Sequence, residues 1–306
     1  IAKFDKSSYD EYQLFSRIGD ASIGGKARGL AFINRLIKEH KLYNKLPGVL
    51  ITIPRTVVLS TDIFDEFMDH NNLYSLALSD IPDEKILENF LKADLPARIY
   101  QDFYAFLSVS RNHPIAVRSS SKLEDSHYQP FAGIYSTYMI PRHPDNKMMV
   151  KMISDAIKEV YASVFYKASK AYMTATANVI DEEKMGIILQ EVCGNRHGDV
   201  FYPTLSGVAR SINYYPIGSE KAGDGIANIA LGLGKHIVEG GLSLRFSPKH
   251  AKKILQLSSI ETALRDTQKD FRALDLRTDR FVPSTDDGVN ILKLLVNDVT
   301  NDVAMK

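Results

Sequence analysis

Across residues 27–40, ARGLAFINRLIKEH, apolar side chains at Leu30, Ile33, Leu36 and Ile37 recur at three- and four-residue spacing, which predicts an amphipathic helix. VLITI at 49–53 and the run through 57–59 are continuously apolar and read as strand, with Pro54 as a break. Thr61 or Asp62 is placed to cap a helix reaching about His70, and two more helices are expected near 83–94 and 97–110. Residues 115–119 and 133–140 read as strands, and 147–175 as one long helix. From 185 onward the texture changes to short apolar runs: MGIILQEV, SGVARSINYY, IANIALGL, HIVEGG and LSLRF. These predict a β-rich block over 185–246, followed by a helix near 250–275. Helices first and strands later predict an α+β protein of two lobes, 1–184 and 185–306.

Bulk composition narrows the function classes. The chain has 306 residues, 44% hydrophobic and 25% charged, the profile of a globular domain or a pair of them. With 38 basic and 37 acidic residues the net charge is +1, which gives no electrostatic reason to expect nucleic acid or an anionic membrane surface. No apolar run approaches the roughly 20 residues a membrane span needs, and the start shows no charged–apolar–small signal pattern. The single cysteine, Cys193, excludes an internal disulfide and a cysteine-based zinc cluster. It points to a reducing compartment, and a cytoplasmic location is expected. A start at Ile1 and an end at Lys306 just after an apolar helix-like run suggest a piece of a longer protein.

The chemistry concentrates in a few stretches. PIAVRSSSKLEDSHYQPFAGIYSTY, 114–138, opens as an apolar strand and then places Arg118 beside Ser119, Ser120 and Ser121. A guanidinium at the end of an apolar strand needs an anion, because an unpaired buried charge costs several kcal/mol. The anion is either an internal carboxylate, Glu124 or Asp125, or a ligand's phosphate, which the planar fork of an arginine suits. GGKARGL, 24–30, sets two glycines and Lys26 ahead of a helix, an arrangement that can bring backbone N–H groups and an ammonium to a phosphate. It is not a Walker A loop, since Asp20 and Ala27 stand where that pattern needs Gly and Ser/Thr. It can equally be a glycine turn with a surface lysine. IILQEV, 187–192, interrupts an apolar strand with Gln190 and Glu191; an extended segment at the edge of a cleft can read an adenine edge with its backbone N–H and C=O groups, or this is an ordinary strand with a solvent-facing polar residue. LGLGKHIVEGG, 231–241, is a tight glycine-rich turn that either carries metal-binding groups or simply forms a hairpin. The eight histidines show no H-x-x-x-H pair, and His236 is expected near the surface or behind a ligand shell.

The order of these stretches is more specific than any one of them. GGK before a helix, then PRTVVLST, AVRSS…ED…FAG…T, ILQEV, and SGVA with LGLG..IV.GG together resemble the nucleotide-binding domain of the phosphoenolpyruvate synthase and pyruvate phosphate dikinase family, over about residues 20–250. The resemblance implies an ATP-grasp fold that binds Mg-ATP between two lobes. It also implies phosphoryl transfer to a histidine on a separate swivelling domain, which serves a pyruvate- and phosphoenolpyruvate-binding domain elsewhere in the parent protein. Carried over position by position, it implies that Lys26 and Arg118 hold ATP phosphates, with Ser119 as an ancillary donor. Gly133 and Thr137 would sit in the loop over the phosphates, and Gln190 and Val192 would frame the adenine. The family usually reads GLGE, its glutamate binding Mg²⁺; here that place is Lys235, and a further metal-site glutamine falls near Ser247. Magnesium takes oxygen ligands, which an ammonium is not. Glu239 or another acid substitutes, Lys235 itself neutralises phosphate, or the chain is a degenerate nucleotide-binding module without phosphoryl transfer.

Overall fold

The computed structural model describes residues 1–4, 13–110, 112–121, 135–175, 183–277 and 281–297. The fold is α+β, and the chain divides into two compact units. The first holds Ile1–Val192 and the later segment ending at Val289; the second holds Cys193–Arg277 and the segment from Asn290 onward.

In the first unit, β1 (Phe15–Ile18), α1 (Gly24–Glu39), β2 (Thr56–Leu59), α2 (Thr61–His70), α3 (Tyr74–Leu78), α4 (Asp83–Lys92) and α5 (Ile99–Val109) precede β3 (Ile115–Ser120). They are followed by β4 (Thr137–Ile140), α6 (Asn146–Ser163), α7 (Lys167–Ala175) and β5 (Gly186–Glu191). The five strands form one sheet in the order β1-β2-β5-β3-β4, parallel only between β1 and β2. β5 opens the strand-rich texture of the sequence, yet it is the middle strand of this first sheet. Every residue of β2 and β5 is buried, the reason both read as continuous apolar runs.

Register decides which face each side chain meets. Val57, Leu189 and Val117 lie side by side across β2, β5 and β3, and they join the main core with Phe64, Phe67, Phe90, Phe103, Phe106, Tyr161 and Phe165 from the helices. The next row, Val58 and Ile188, faces the other way and packs with Ile23, Ala27 and Ile37 of the α1 region. Burying side chains of this kind contributes about 1.5–3 kcal/mol each.

Several elements differ from their sequence reading. The α1 stripe rotates: Ala27 and Ile37 are buried with Leu30 and Ala31 packed against the same cluster, while Ile33 is 47% exposed. Residues 147–175 break between α6 and α7, where the turn carries the fully buried Phe165 against Phe64 and Phe90, with ring centroids 6.4 and 5.9 Å apart. The stretch 49–53 forms no strand, only an isolated bridge between Leu46 and Val49. The strand expected from 133 begins at Thr137, and residues 133 and 134 lie outside the described residues.

The second unit contains β6 (Asn195–His197), β7 (Val200–Tyr202), β8 (Ser206–Arg210), β9 (Ile226–Ala230), α8 (Lys235–Val238) and β10 (Leu244–Phe246), then α9 (Ile260–Asp266), β11 (Asp270–Asp275) and β12 (Ile291–Leu295). β10-β9-β8 form one antiparallel sheet and β12-β11-β7-β6 another. HIVEGG, read as strand, begins as the single turn of α8. The helix expected over 250–275 is short: Ser259 caps α9 by accepting from Thr262 N–H, and the alternation of DFRALD belongs to β11, with Phe271 and Ala273 buried. Among the described residues no helix is long and apolar enough to cross a membrane.

Candidate functional site

The head of α1 is docked on the tail of β3. Gly25 N–H donates to the Ser121 carbonyl at 3.0 Å, Ala27 N–H to Ser120 Oγ at 3.1 Å, and Ser120 Oγ in turn donates to the Ile23 carbonyl at 2.8 Å. Two of the helix's orphan N–H groups are thereby satisfied inside the protein. Gly24 has φ +74°, and a Cβ there would collide with the Ser120 carbonyl. The glycines of GGK therefore allow close docking of helix on strand; the amides of Gly25 and Ala27 are already engaged and do not face a ligand. What the motif presents is Lys26, whose Nζ donates to Ser119 Oγ at 3.2 Å.

Arg118 lies one residue back on β3, in a polar row across the sheet. It pairs in register with Ile188 and with Thr137, so it projects from the face that α1 partly covers, as do Gln190 and Thr56. Arg118 donates to Gln190 Oε1 at 3.3 Å, Gln190 Nε2 donates to Thr56 Oγ1 at 3.0 Å, and Thr56 Oγ1 donates to the Pro54 carbonyl at 2.8 Å. The Thr56 proton is committed to Pro54, so its oxygen can only accept from Gln190. The amide of Gln190 is thus oriented with its oxygen toward the guanidinium. Nothing in the sequence singles out Thr56, which reads there as one more β-branched strand residue.

Lys26, Arg118, Ser119, Thr137 and Gln190 all belong to the first unit, where Lys26 contacts Ser119, Arg118 contacts Gln190, and Thr137 pairs in register with Arg118. Thr137 N–H donates to Asp287 Oδ2 at 2.8 Å, a partner some 150 positions away that no local signal reveals. Val192 is buried, and its N–H donates to the Pro114 carbonyl at 2.9 Å, while Glu191 N–H donates to the Arg55 carbonyl at 3.0 Å. β5 is a central strand of its sheet, with β2 and β3 on either side. Gly133, Glu124 and Asp125 lie outside the described residues.

Lys235 and Glu239 belong to the second unit, at the two ends of α8. Glu239 accepts two bonds from Arg272 at Oε2, 2.9 and 2.8 Å, and its Oε1 is 3.9 Å from Lys235 Nζ. Gly232, in the same glycine-rich stretch, has φ +84° and lies so close to Phe271 and the Arg272 carbonyl that a Cβ would meet both at 2.6 Å. His236 is buried rather than at the surface, with Nε2 2.9 Å from the Leu242 carbonyl. Ser247 is buried and donates to the Asp224 carbonyl at 3.3 Å. Among the described residues no group of three or more His, Cys, Asp or Glu is arranged to hold a metal ion.

A family model described as the AMP/ATP-binding domain of pyruvate phosphate dikinase matches residues 20–274, a span that covers most of each unit and every sequence-predicted site residue. The chain belongs to this family.

As a member of the dikinase AMP/ATP-binding family it has curated relatives among the phosphotransferases. It is 26% identical over 193 residues to the "Uncharacterized phosphotransferase YvkC" of Bacillus subtilis (strain 168), covering 63% of this chain and 21% of that protein. It is 27% identical over 167 residues to the phosphoenolpyruvate synthase of Pseudomonas aeruginosa (strain UCBPP-PA14), covering 49% of this chain and 19% of that protein. The chain thus spans about a fifth of the length of these relatives.

Proposed function

We propose that this dikinase-family domain binds Mg-ATP in an ATP-grasp-like fold and donates a phosphoryl group to a histidine on a separate swivelling domain of a phosphoenolpyruvate synthase-like parent. In that parent, pyruvate, ATP and water would become phosphoenolpyruvate, AMP and phosphate, the pyruvate side being handled by another domain. The observation that carries the reading is that two cations from distant parts of the chain are held at successive residues of one strand: Lys26 on Ser119, and Arg118 on Gln190. Phosphoryl transfer asks a protein mainly to position the triphosphate and stabilise its charge, which a fixed guanidinium and an ammonium do. Magnesium commonly takes one or two carboxylates with phosphate oxygens and water. Glu239 is engaged by Arg272, so the described residues offer no ready cage, and the ion would arrive with the nucleotide.

Isothermal titration with ATP, with and without MgCl₂, tests this. Saturable binding that needs Mg²⁺ and weakens at least about tenfold in Arg118→Ala, the loss of one charge-assisted contact, is expected. A folded protein that takes up no ATP overturns the reading.

One observation favours a second reading, a nucleotide-binding regulatory or scaffold module without transfer. Lys235 stands where the family has its glutamate, and the nearby Glu239 is tied to Arg272. Labelled ATP incubated with the full-length parent separates the two, since acid-labile label on histidine rejects the module.

A further inference from the structure

We propose that a cavity in the second unit, between the 217–220 loop, β10 and the segment 250–258, is a binding site for an amphipathic organic anion: an apolar body carrying a carboxylate, phosphate or sulfonate. The cavity encloses about 640 Å³, within the range of small-molecule sites. Its apolar wall comes from Ile217, Ile254, Leu255 and Leu257, and three of these are strongly exposed: Leu255 61%, Leu257 52% and Ile217 43%. Apolar side chains gathered around a concavity and left open to water mark binding surfaces.

Charge selects the ligand. Glu220, which lines the cavity, and Asp224, which contacts the lining residue His250, are already committed. Glu220 accepts from Arg245 through both oxygens, 3.2 and 3.0 Å, and also from Asn213 and from Ile217 N–H. Asp224 accepts from Lys249 at 2.9 Å and from Lys221 N–H at 2.8 Å, with His250 Nε2 at 3.3 Å. Lys252 and Lys253 line the same space. Lys253 reaches only the Ser219 hydroxyl, at 3.5 Å, and Lys252 has no hydrogen bond or ion pair among the described residues. The excess charge around the apolar wall is therefore positive. The wall is also preformed. Gln256 accepts from Arg245 N–H at 2.9 Å and donates to the Ser243 carbonyl at 2.7 Å, which ties the 250–258 segment to β10 before any ligand arrives.

The probe is 8-anilinonaphthalene-1-sulfonate, with uncharged N-phenyl-1-naphthylamine as its partner and inorganic phosphate as the charge without the body. Expected is a saturable fluorescence increase with the sulfonate, a weaker one with the amine, and no displacement by millimolar phosphate. Lys252→Glu with Lys253→Glu, and separately Leu255→Glu, each raise the Kd at least tenfold. Val238→Glu, on a different exposed apolar patch, leaves it unchanged. Leu255 and Lys252 are exposed, so these variants fold. Absence of saturable binding, equal affinity for the amine, or a Kd that moves with Val238 and not with Leu255 overturns the proposal. ATP titration of the same variants stays at the wild-type value, so this outcome is separable from that for the nucleotide.

Discussion

Lys26 Nζ donates to Ser119 Oγ at 3.2 Å, joining residues 93 positions apart and setting an ammonium at the end of the strand that carries Arg118. The backbone docking of α1 on β3 runs instead through Gly25, Ala27 and Ser120. The contact therefore reads as placement of a charge. Lys26→Met is expected to leave the unfolding midpoint within about 0.5 kcal/mol of wild type, as for a partly exposed surface change, and to weaken ATP about 10–100-fold by calorimetry. Ser119→Ala should fall between the two. A Lys26→Met protein with wild-type affinity removes this lysine from the phosphate site.

Gly24 makes the opposite prediction, for stability. With φ +74° and the Ser120 carbonyl against its α-carbon, Gly24→Ala must move the helix head off the strand. A loss of about 1–3 kcal/mol or more in urea unfolding is expected. Gly29, which has open space around it, is the control: Gly29→Ala should stabilise α1 by up to about 1 kcal/mol.

Glu159 is buried on α6 in the main core, and burial, with Asp155 adding to it, pushes its carboxyl up to about 9 from an ordinary value of 4.5. Between those values the folded chain holds a proton that the unfolded chain releases. Stability should therefore fall as pH rises through that window, at most about 1.4 kcal/mol per pH unit. Glu159→Gln should flatten the dependence and be the more stable protein at pH 8. Urea midpoints from pH 5 to 8 check this, and parallel profiles for the two proteins would refute it.

Asp287 holds the first amide of β4 by accepting from Thr137 N–H. Asp287→Ala leaves that donor without its carboxylate, at a cost of about 1–3 kcal/mol. Hydrogen exchange at Thr137 should accelerate accordingly. Asp287→Asn keeps an acceptor oxygen and should retain most of the protection.

The main core is legible because its helices and strands bury one face at a regular period, as with Val57 and Leu59 or Ile115 and Val117. The candidate Arg118 stands out for the converse reason: it breaks an apolar strand, and a guanidinium there asks for a partner. Long-range order is not legible. Nothing near Gln190 announces that its strand is central rather than an edge, since both sides of β5 are set by β2 and β3 from elsewhere in the chain. Nothing near GGK distinguishes amides free for a ligand from amides bonded to Ser120 and Ser121. The 250–275 stretch misleads because LSSIETALRD has helical spacing, and the period-two alternation of DFRALD that follows is only six residues long.

Tyr138 OH donates to the Ser284 carbonyl at 2.7 Å, and Phe281 lies in the first unit's core, while β12 from 291–295 completes a sheet of the second. The two units are thus interleaved along the polypeptide. On a ribosome, the earlier one stays unfinished until almost the whole of the later one has emerged, and a chain trimmed at the apparent boundary near 192 would lack its closing strap. Any attempt to express half of this protein has to carry both ends of that half.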